Sequence, residues 1–395
     1  MRNKTASHRI ALLFNANKIY DRQIITGIGA YLSSTRVVWD LFLEEDFRCR
    51  PDEIRDWDGD GIIADFDDPD IAEALRFNRL PIVAAGSSYE DEADYPKDVP
   101  YIATDNAALI KQAYNHLIEV GLSRIALYSM PESPRNRWAQ EREKAFRHLS
   151  EENGSPCDIY RGHPTRASDW NESLQYLGDW LQSLPKPLGI IAVNDARARQ
   201  VMLACVLTGI AIPEEIAIVG IDNDPLTRTL TRIPLSSVIQ GTEEIGWIAA
   251  QTLHECLHNV QHRSTRILVP PIGINVQASS LHQPFSNPYV MRARHYIRQF
   301  AMLGIKTQQV AEYVGISRSS LESHFQRELN YTVHDEILRF RLEMAKSLLA
   351  KEQLSSREIA IKCGFTSLQY MHTVFKRELG CTPREYQDRC KAATS

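Results

Sequence analysis

No apolar run in the sequence approaches the ~20 residues that a membrane span requires, and the first residues, MRNKTASHRI, lack the apolar core of a secretion signal. A soluble, cytoplasmic chain is therefore expected. Cysteine is scarce: seven residues are scattered from Cys49 to Cys390, with no CxxC pair among them. That excludes a disulfide framework and a structural zinc site. Several enzyme motifs are missing too, including a GxxxxGK[ST] phosphate loop and a GxSxG nucleophile elbow. Gly27-Ile28-Gly29 lacks the third glycine of a dinucleotide fingerprint and sits within a predicted helix. His254-Glu255-x-x-His258 matches the HExxH zinc pattern, with His262 one turn on. The apolar face of that helix runs through Ile245, Ile248, Ala249, Thr252, Cys256 and Val260, which turns the histidines toward solvent. No catalytic residue, metal or cofactor is assigned.

What the sequence does have is length and an uneven charge. At roughly 150 residues per domain, 395 residues predict two to three domains. The formal net charge of −5 hides a change of sign. From Phe285 onward there are 17 Lys+Arg against 11 Asp+Glu, a balance of +6, whereas Met1 to Pro284 carries 28 against 39, or −11. An acidic body with a basic tail points the tail toward an anionic partner, nucleic acid or otherwise.

Through residue 280 short β-rich runs alternate with helical patterns. Strands are predicted at Arg9–Phe14, Trp39–Leu43, Gly61–Ile63, Ile82–Ala85, Arg124–Tyr128, Gly189–Val193, Ile216–Ile221 and Ser237–Ile239. Amphipathic stretches such as Asp21–Leu32, Ala107–Val120 and Trp138–Ser150 lie between them. Strands separated by such helices imply parallel βαβ units, which bind ligands beyond the carboxyl ends of their strands. Asn15, Asp65, Asn194, Asp195 and Asp222 occupy those positions. The polar stretch Ala278–Pro288, with two prolines, reads as a linker.

Helical spacing dominates the tail. Thr307–Leu329 (TQQVAEYVGISRSSLESHFQREL) and Ser355–Leu379 (SSREIAIKCGFTSLQYMHTVFKREL) share one design 49 residues apart. Each has a short helix, a glycine (Gly315, Gly364), a hydrophobe, a hydroxyl residue and a second helix. Glycine permits the positive φ that ends the first helix, and Ser317, and Thr366 or Ser367, can cap the second. Leu321 and Phe325, and Leu368, Met371 and Phe375, face inward at helical spacing. Arg318, Ser319, Glu322, Ser323 and Gln326 then form one outward set, and Gln369, His372, Thr373 and Lys376 the other. Such residues suit base edges in a major groove. A connecting helix of ~19 residues would be ~28 Å long, close to the ~34 Å between successive major grooves. A helical protein–protein bundle would use the same cores.

The second copy, through Ile359-Ala360, Gly364-Phe365, Ser367, Tyr370, Phe375-Lys376, Gly380, Thr382-Pro383 and Tyr386, resembles AraC-family activators. That resemblance implies a double helix-turn-helix DNA-binding domain, although Thr373 stands where an arginine is frequent. IIAVNDARA (Ile190–Ala198), IPEEIAIVGIDND (Ile212–Asp224) and VIQGTEEIGWIAAQTL (Val238–Leu253) resemble the sugar-binding cores of lac-repressor-type regulators and periplasmic binding proteins. The implied fold is a two-lobed α/β periplasmic-binding-protein-like domain (1–280), a linker (281–288) and an all-α double helix-turn-helix domain (289–395). No helix-turn-helix precedes the first strand, so all DNA contact is expected in the tail.

The combination resembles pentose-operon regulators of enteric bacteria. It implies a pentose ligand, D-xylose first, with double-stranded promoter DNA, RNA polymerase and a second copy of the chain as partners. The implied sugar contacts are Asp222, Asp195, Asn194, Gln240 at a lobe crossover, and Arg142. This arginine matches the family's R-x-x-G-[aromatic] helix start except for Ala145 in the glycine position. Asn15, Asp65, Trp138 and Arg197 join them from strand ends and local motif. Two rival functions share these features: a sugar-binding protein with an assembly tail, and a carbohydrate-processing enzyme.

Overall fold

The computed structural model describes residues 7–44, 54, 57–88, 99–258, 266–282, 287–351 and 354–392. Cys49, Val260, His262 and linker residues 283–286 lie outside the described residues. The chain divides into two compact units, Met1–Ile210 with Ile216–Leu281, and His282–Ser395 with Ala211–Glu215.

The α/β unit holds two six-stranded sheets. One contains β1 (His8–Leu13), β2 (Trp39–Phe42), β3 (Gly61–Asp65), β4 (Ile82–Gly86), β5 (Tyr101–Thr104) and β11 (Arg266–Val269), all parallel, in the order β11-β5-β4-β3-β1-β2. The other contains β6 (Ile125–Tyr128), β7 (Asp158–Tyr160), β8 (Leu188–Ala192), β9 (Ile216–Ile221), β10 (Ser236–Ile239) and β12 (Gly273–Asn275), in the order β12-β10-β9-β8-β6-β7. Only β12 runs antiparallel to its neighbour in that sheet. The central strands β3, β4, β8 and β9 are buried along their whole length, which is why they read as continuous apolar runs.

All eight predicted strands form to within two residues. The four that the pattern did not disclose, β5, β7, β11 and β12, are three or four residues long. β7, β11 and β12 are also largely half-exposed, and runs this short show no clear apolar period.

The helices of this unit are α1 (Ile19–Ser34), α2 (Pro69–Leu75), α3 (Asn106–Glu119), α4 (Arg137–Glu152), α5 (Trp170–Ser183), α6 (Asp195–Thr208), α7 (Pro225–Thr229) and α8 (Thr242–Leu257). α1 and α8 cross so closely that a Cβ on Gly27 would lie 1.9 Å from the Glu243 carbonyl oxygen, and one on Gly246 2.0 Å from that of Ile24. Gly27 is therefore a helix-crossing glycine.

The chain passes between the lobes after β5, after β10 and after β11. These three passages lie side by side: Asp105 N donates to Val269 O at 3.0 Å, and Thr104 Oγ1 to Gln240 Oε1 at 3.3 Å. Gln240 thus sits in the hinge.

The helical unit comprises α9 (Pro288–Phe300), α10 (Thr307–Val314), α11 (Arg318–Leu329), α12 (Val333–Lys351), α13 (Ser356–Lys362), α14 (Leu368–Leu379) and α15 (Pro383–Ala392). α9 starts inside the expected linker: Asn287 caps it by accepting from Tyr289 N at 2.9 Å, and Pro288 is its first residue. Two apolar cores form. Val290, Ile297, Val310, Leu321 and Phe325 join Val333 and Ile337 from the start of α12. Leu338, Leu342, Ala345 and Leu349, further along α12, join Ile359, Met371 and Phe375. One 19-residue helix therefore serves both halves.

The predicted turns are present. Gly315 and Gly364 have φ of +83° and +71°, Ser317 and Ser367 cap α11 and α14, and Thr382 with Glu385 forms a capping box before α15. Ala211–Glu215 is held in this unit by Ile212 N donating to His295 Nδ1 at 3.0 Å and by a buried Arg298–Glu214 ion pair.

Candidate functional site

A cleft of about 490 Å³ opens between the two α/β lobes, within the size range of small-molecule sites. It lies at the carboxyl ends of β1, β3, β8 and β9, where the parallel-sheet rule places it. Asn15, Asp65, Trp138, Arg142, Asn194, Asp195, Asp222 and Gln240 all line it. Residues up to 225 apart in the chain are thus gathered by two strand-end rows and one hinge.

On the second lobe Asp222 follows β9 with φ +117°, a conformation that costs a non-glycine residue free energy. It is held there by Asp222 N donating to Val238 O at 3.1 Å and by Gln240 Nε2 donating to its Oδ1 at 2.6 Å. The Arg142 guanidinium is buried: Nε donates to Asn106 Oδ1 at 2.9 Å, Nη1 to Val193 O, and Nη2 to Gln240 Oε1 at 3.4 Å. Its carbon lies 4.7 Å from the centre of the Trp138 ring, a cation–π contact that orients both groups. Asn194 caps α6, its Oδ1 accepting from Arg197 N at 2.8 Å, which leaves the amide nitrogen for a ligand.

Asp195 has less to offer. Ser237 Oγ donates to its Oδ1 at 2.6 Å and Asp224 N to its Oδ2 at 2.8 Å, and only 1% of the residue is exposed. It braces the loop that presents Asp222.

On the first lobe Lys18 Nζ lies 2.9 Å from Asp65 Oδ2, and Asp67 N donates to Asp65 Oδ1 at 2.9 Å. Asn15 N donates to the buried Asp21 at 2.7 Å. Burial pushes the Asp65 carboxyl up to about 6, with Lys18 pulling the other way. Asp222 is likewise pushed up to about 6 by burial, against the pull of Arg142. Lys18, Tyr20, Asp21 and Asp67 also line the cleft; Asp67 lies just past the end of β3 as the strand-end rule would have it, whereas Lys18, Tyr20 and Asp21 lie at the start of α1 and carry no such signal. Arg135, Asp224 and Thr227 also line the cleft and carry no local signal.

Arg197 is outside the cleft. Its guanidinium donates to His163 O at 3.0 Å and Gln200 Oε1 at 3.1 Å, and packs over the Tyr128 ring at 4.9 Å. The backbone N–H of Arg197, not its side chain, serves the site by holding Asn194. The HExxH histidines form no metal centre among the described residues. His254 Nδ1 instead lies 2.7 Å from the Tyr31 hydroxyl, on the α1–α8 crossing.

In the helical unit Arg318, Ser319, Ser323 and Gln326 on α11, and Gln369, Thr373 and Lys376 on α14, are exposed. Glu322 is not part of that face. Half-buried, it accepts from Val333 N at 3.0 Å and so ties α11 to the start of α12. His372 is half-buried, and the Thr373 hydroxyl donates back to Gln369 O at 3.1 Å.

Comparison with known proteins places these parts. Residues 9–107 match the family model of the XylR N-terminal domain, 114–280 that of a periplasmic binding protein-like domain, and 310–389 that of a helix-turn-helix domain. The chain is 48% identical over 384 residues to the xylose operon regulatory protein of Escherichia coli strain K12, covering 97% of this chain and 98% of that one. Its counterpart from Haemophilus influenzae is 45% identical over 383 residues, 97% of this chain and 99% of that one. A solved structure described as the xylose-binding transcription activator xylR superposes with a TM-score of 0.89 at 46% identity, covering 98% of this chain and 99% of that chain. The lac repressor dimer, at 16% identity and a TM-score of 0.54 over 70% of this chain and 96% of that one, shares the fold alone. With both lobes, the helix-turn-helix pair and nearly the whole length matched, the chain belongs to the xylose operon regulatory protein family.

Proposed function

We propose that this chain is a cytoplasmic, pentose-responsive transcriptional activator of sugar uptake and catabolism genes, with D-xylose as its ligand and no catalytic activity of its own. One observation carries this function: a single chain holds a polar interlobe cleft and, in a separate unit, two exposed helix faces served by one 19-residue helix. The Asp222 carboxylate accepts sugar hydroxyls, the Arg142 guanidinium donates to them, and Trp138 offers its face to the apolar side of the ring. Every ligand hydroxyl needs such a partner, because a buried unpaired one costs about 1–3 kcal/mol. Sugar closes the lobes and promotes promoter binding, which requires tighter sugar binding in the DNA-competent state, since equal affinity for both states shifts nothing. α11 and α14 enter successive major grooves, α12 spanning about 28 Å of the ~34 Å between them. The same function includes pairing into a homodimer and contact with RNA polymerase.

Fluorescence anisotropy on a xylose-operon promoter fragment tests this directly. D-xylose is expected to tighten specific binding about tenfold or more, within the usual range of allosteric coupling, with L-arabinose and D-ribose weaker. Promoter affinity that ignores all three sugars refutes it, and turnover of the sugar would favour an enzyme.

Acidity should weaken the sugar. With Asp65 and Asp222 at about 6, both are ionised at pH 7 and mostly protonated at pH 5. A hydroxyl donating to the carboxylate binds the ionised form, so Kd should rise about tenfold for each carboxylate engaged over that interval. The sugar-free fold behaves oppositely: carboxyls raised above their unfolded value cost stability at neutral pH, and that cost fades as pH falls below 6. Calorimetric titration at pH 7 and 5 checks the first expectation; equal Kd values would exclude both carboxylates as acceptors.

A further inference from the structure

Arg135 reaches across the cleft. It sits in the short 3-10 turn Pro134–Asn136 that leads into α4 on the second lobe, just ahead of Trp138 and Arg142, and it lines the cleft. Its Nη1 lies 2.9 Å from Asp68 Oδ2, and its Nη2 pairs with Asp70, both on the first lobe. The two carboxylates are held together at the start of α2, where Asp68 is the cap and accepts from Asp70 N at 3.1 Å. One guanidinium therefore spans two carboxylates of the opposite lobe, each with its own hydrogen bond.

Another polar link between the lobes, Asn106 Nδ2 to Ser87 O, belongs to a residue directly after the hinge passage and follows any hinge motion. Arg135 belongs to no passage. Nothing in the chain path keeps it beside Asp68 and Asp70, so their pairing depends on how the lobes stand.

We propose that Arg135 is a cross-cleft latch that biases the lobes toward closure before ligand arrives, and so sets the concentration of sugar to which the protein responds. This rests on the cleft being the sugar site. A ligand that needs closed lobes binds with an affinity scaled by the closed fraction, so the latch raises affinity without touching the sugar. The pair is more than half exposed at Arg135 and Asp70, which makes it weak, adjustable and sensitive to salt.

Spin labels at Ser33→Cys on α1 and Asp179→Cys on α5, in a chain whose other reactive cysteines are serine, report the lobe separation of the sugar-free protein. Arg135→Glu is expected to lengthen and broaden that distance by placing three carboxylates together. Asp70→Arg added to Arg135→Glu is expected to restore it, which a merely misfolded variant would not allow. In calorimetric titrations with D-xylose, Arg135→Glu should weaken binding about three- to tenfold, the swapped pair should recover it, and 0.5 M salt should shrink the difference. An unchanged distance distribution in Arg135→Glu overturns the latch, as does an opened cleft with unchanged D-xylose affinity. If the lobes open as expected but the wild-type chain binds no D-xylose, the latch is supported and the proposed ligand is overturned.

Discussion

Asp222→Ala is expected to lose about two orders of magnitude in D-xylose affinity while melting no lower than the wild type at pH 7. Hydrogen bonds to a charged acceptor contribute about 1.5–3 kcal/mol each, and a carboxylate can accept two from adjacent hydroxyls. The absence of a stability loss is the more discriminating half. Asp222 is pushed up to about 6 mainly by burial, so its charge is a cost to the fold at neutral pH that alanine removes. Its φ of +117° is unfavourable for any residue with a Cβ, so the substitution relieves no backbone strain. The side chain is thus better explained by what it binds than by what it stabilises. Calorimetric titration with D-xylose and a thermal scan read the two halves. Unchanged affinity would remove Asp222 from the site, and a sharply lower Tm would recast it as structural.

Gly364→Val is expected to abolish specific promoter binding, by a hundredfold or more, and to leave D-xylose affinity intact. Gly364 has φ +71°, and a Cβ there would lie 2.6 Å from the Met302 carbonyl oxygen and 2.8 Å from that of Ala301. Both obstacles are backbone, and Arg341 anchors the same segment by donating to Ala301 O at 2.9 Å and Ile305 O at 3.0 Å, so neither can yield cheaply. The turn must then move, carrying the start of α14 and its exposed Gln369 with it. Its twin supplies the control. Gly315 has φ +83° but open space around the Cβ position, so Gly315→Ala should cost only the left-handed strain, about 1–2 kcal/mol. Equal promoter affinity of Gly364→Val and wild type in an anisotropy titration would show that the second helix-turn-helix is not needed for DNA.

The two glycines also show how far the sequence can be read. Their equivalence as turn residues follows from the repeat at 49 residues, because only glycine accepts that backbone without strain. Their inequality does not follow, since the 301–302 carbonyls come from another part of the chain. Glu322 has the same lesson. Helical spacing puts it outward beside Ser319 and Ser323, yet it turns to cap the next helix through Val333 N, a contact visible only once α11 and α12 are placed. Arg197 follows the cleft residues Asn194 and Asp195 in sequence, but successive helix positions diverge by about 100°, and its side chain packs on Tyr128 instead. Lys18 and Asp21 give no such signal, because a carboxylate's burial, and the ammonium beside it, have no sequence period.

By itself the sequence determined the elements and their kinds: buried parallel strands as apolar runs, a duplicated turn set by glycine and serine, and carboxylates at the ends of strands. These follow from backbone sterics and from local burial, which act over a few residues. The tertiary structure decided which of those groups share a site. Asp65 and Asp222 acquire their raised pKa, and Asp195 becomes a brace, through neighbours that the fold of each lobe gathers, while Arg135 meets Asp68 and Asp70 because three hinge passages bring the two lobes face to face. Desolvation and ion pairing depend on distances through space, and residues far apart in the chain carry no local trace of them.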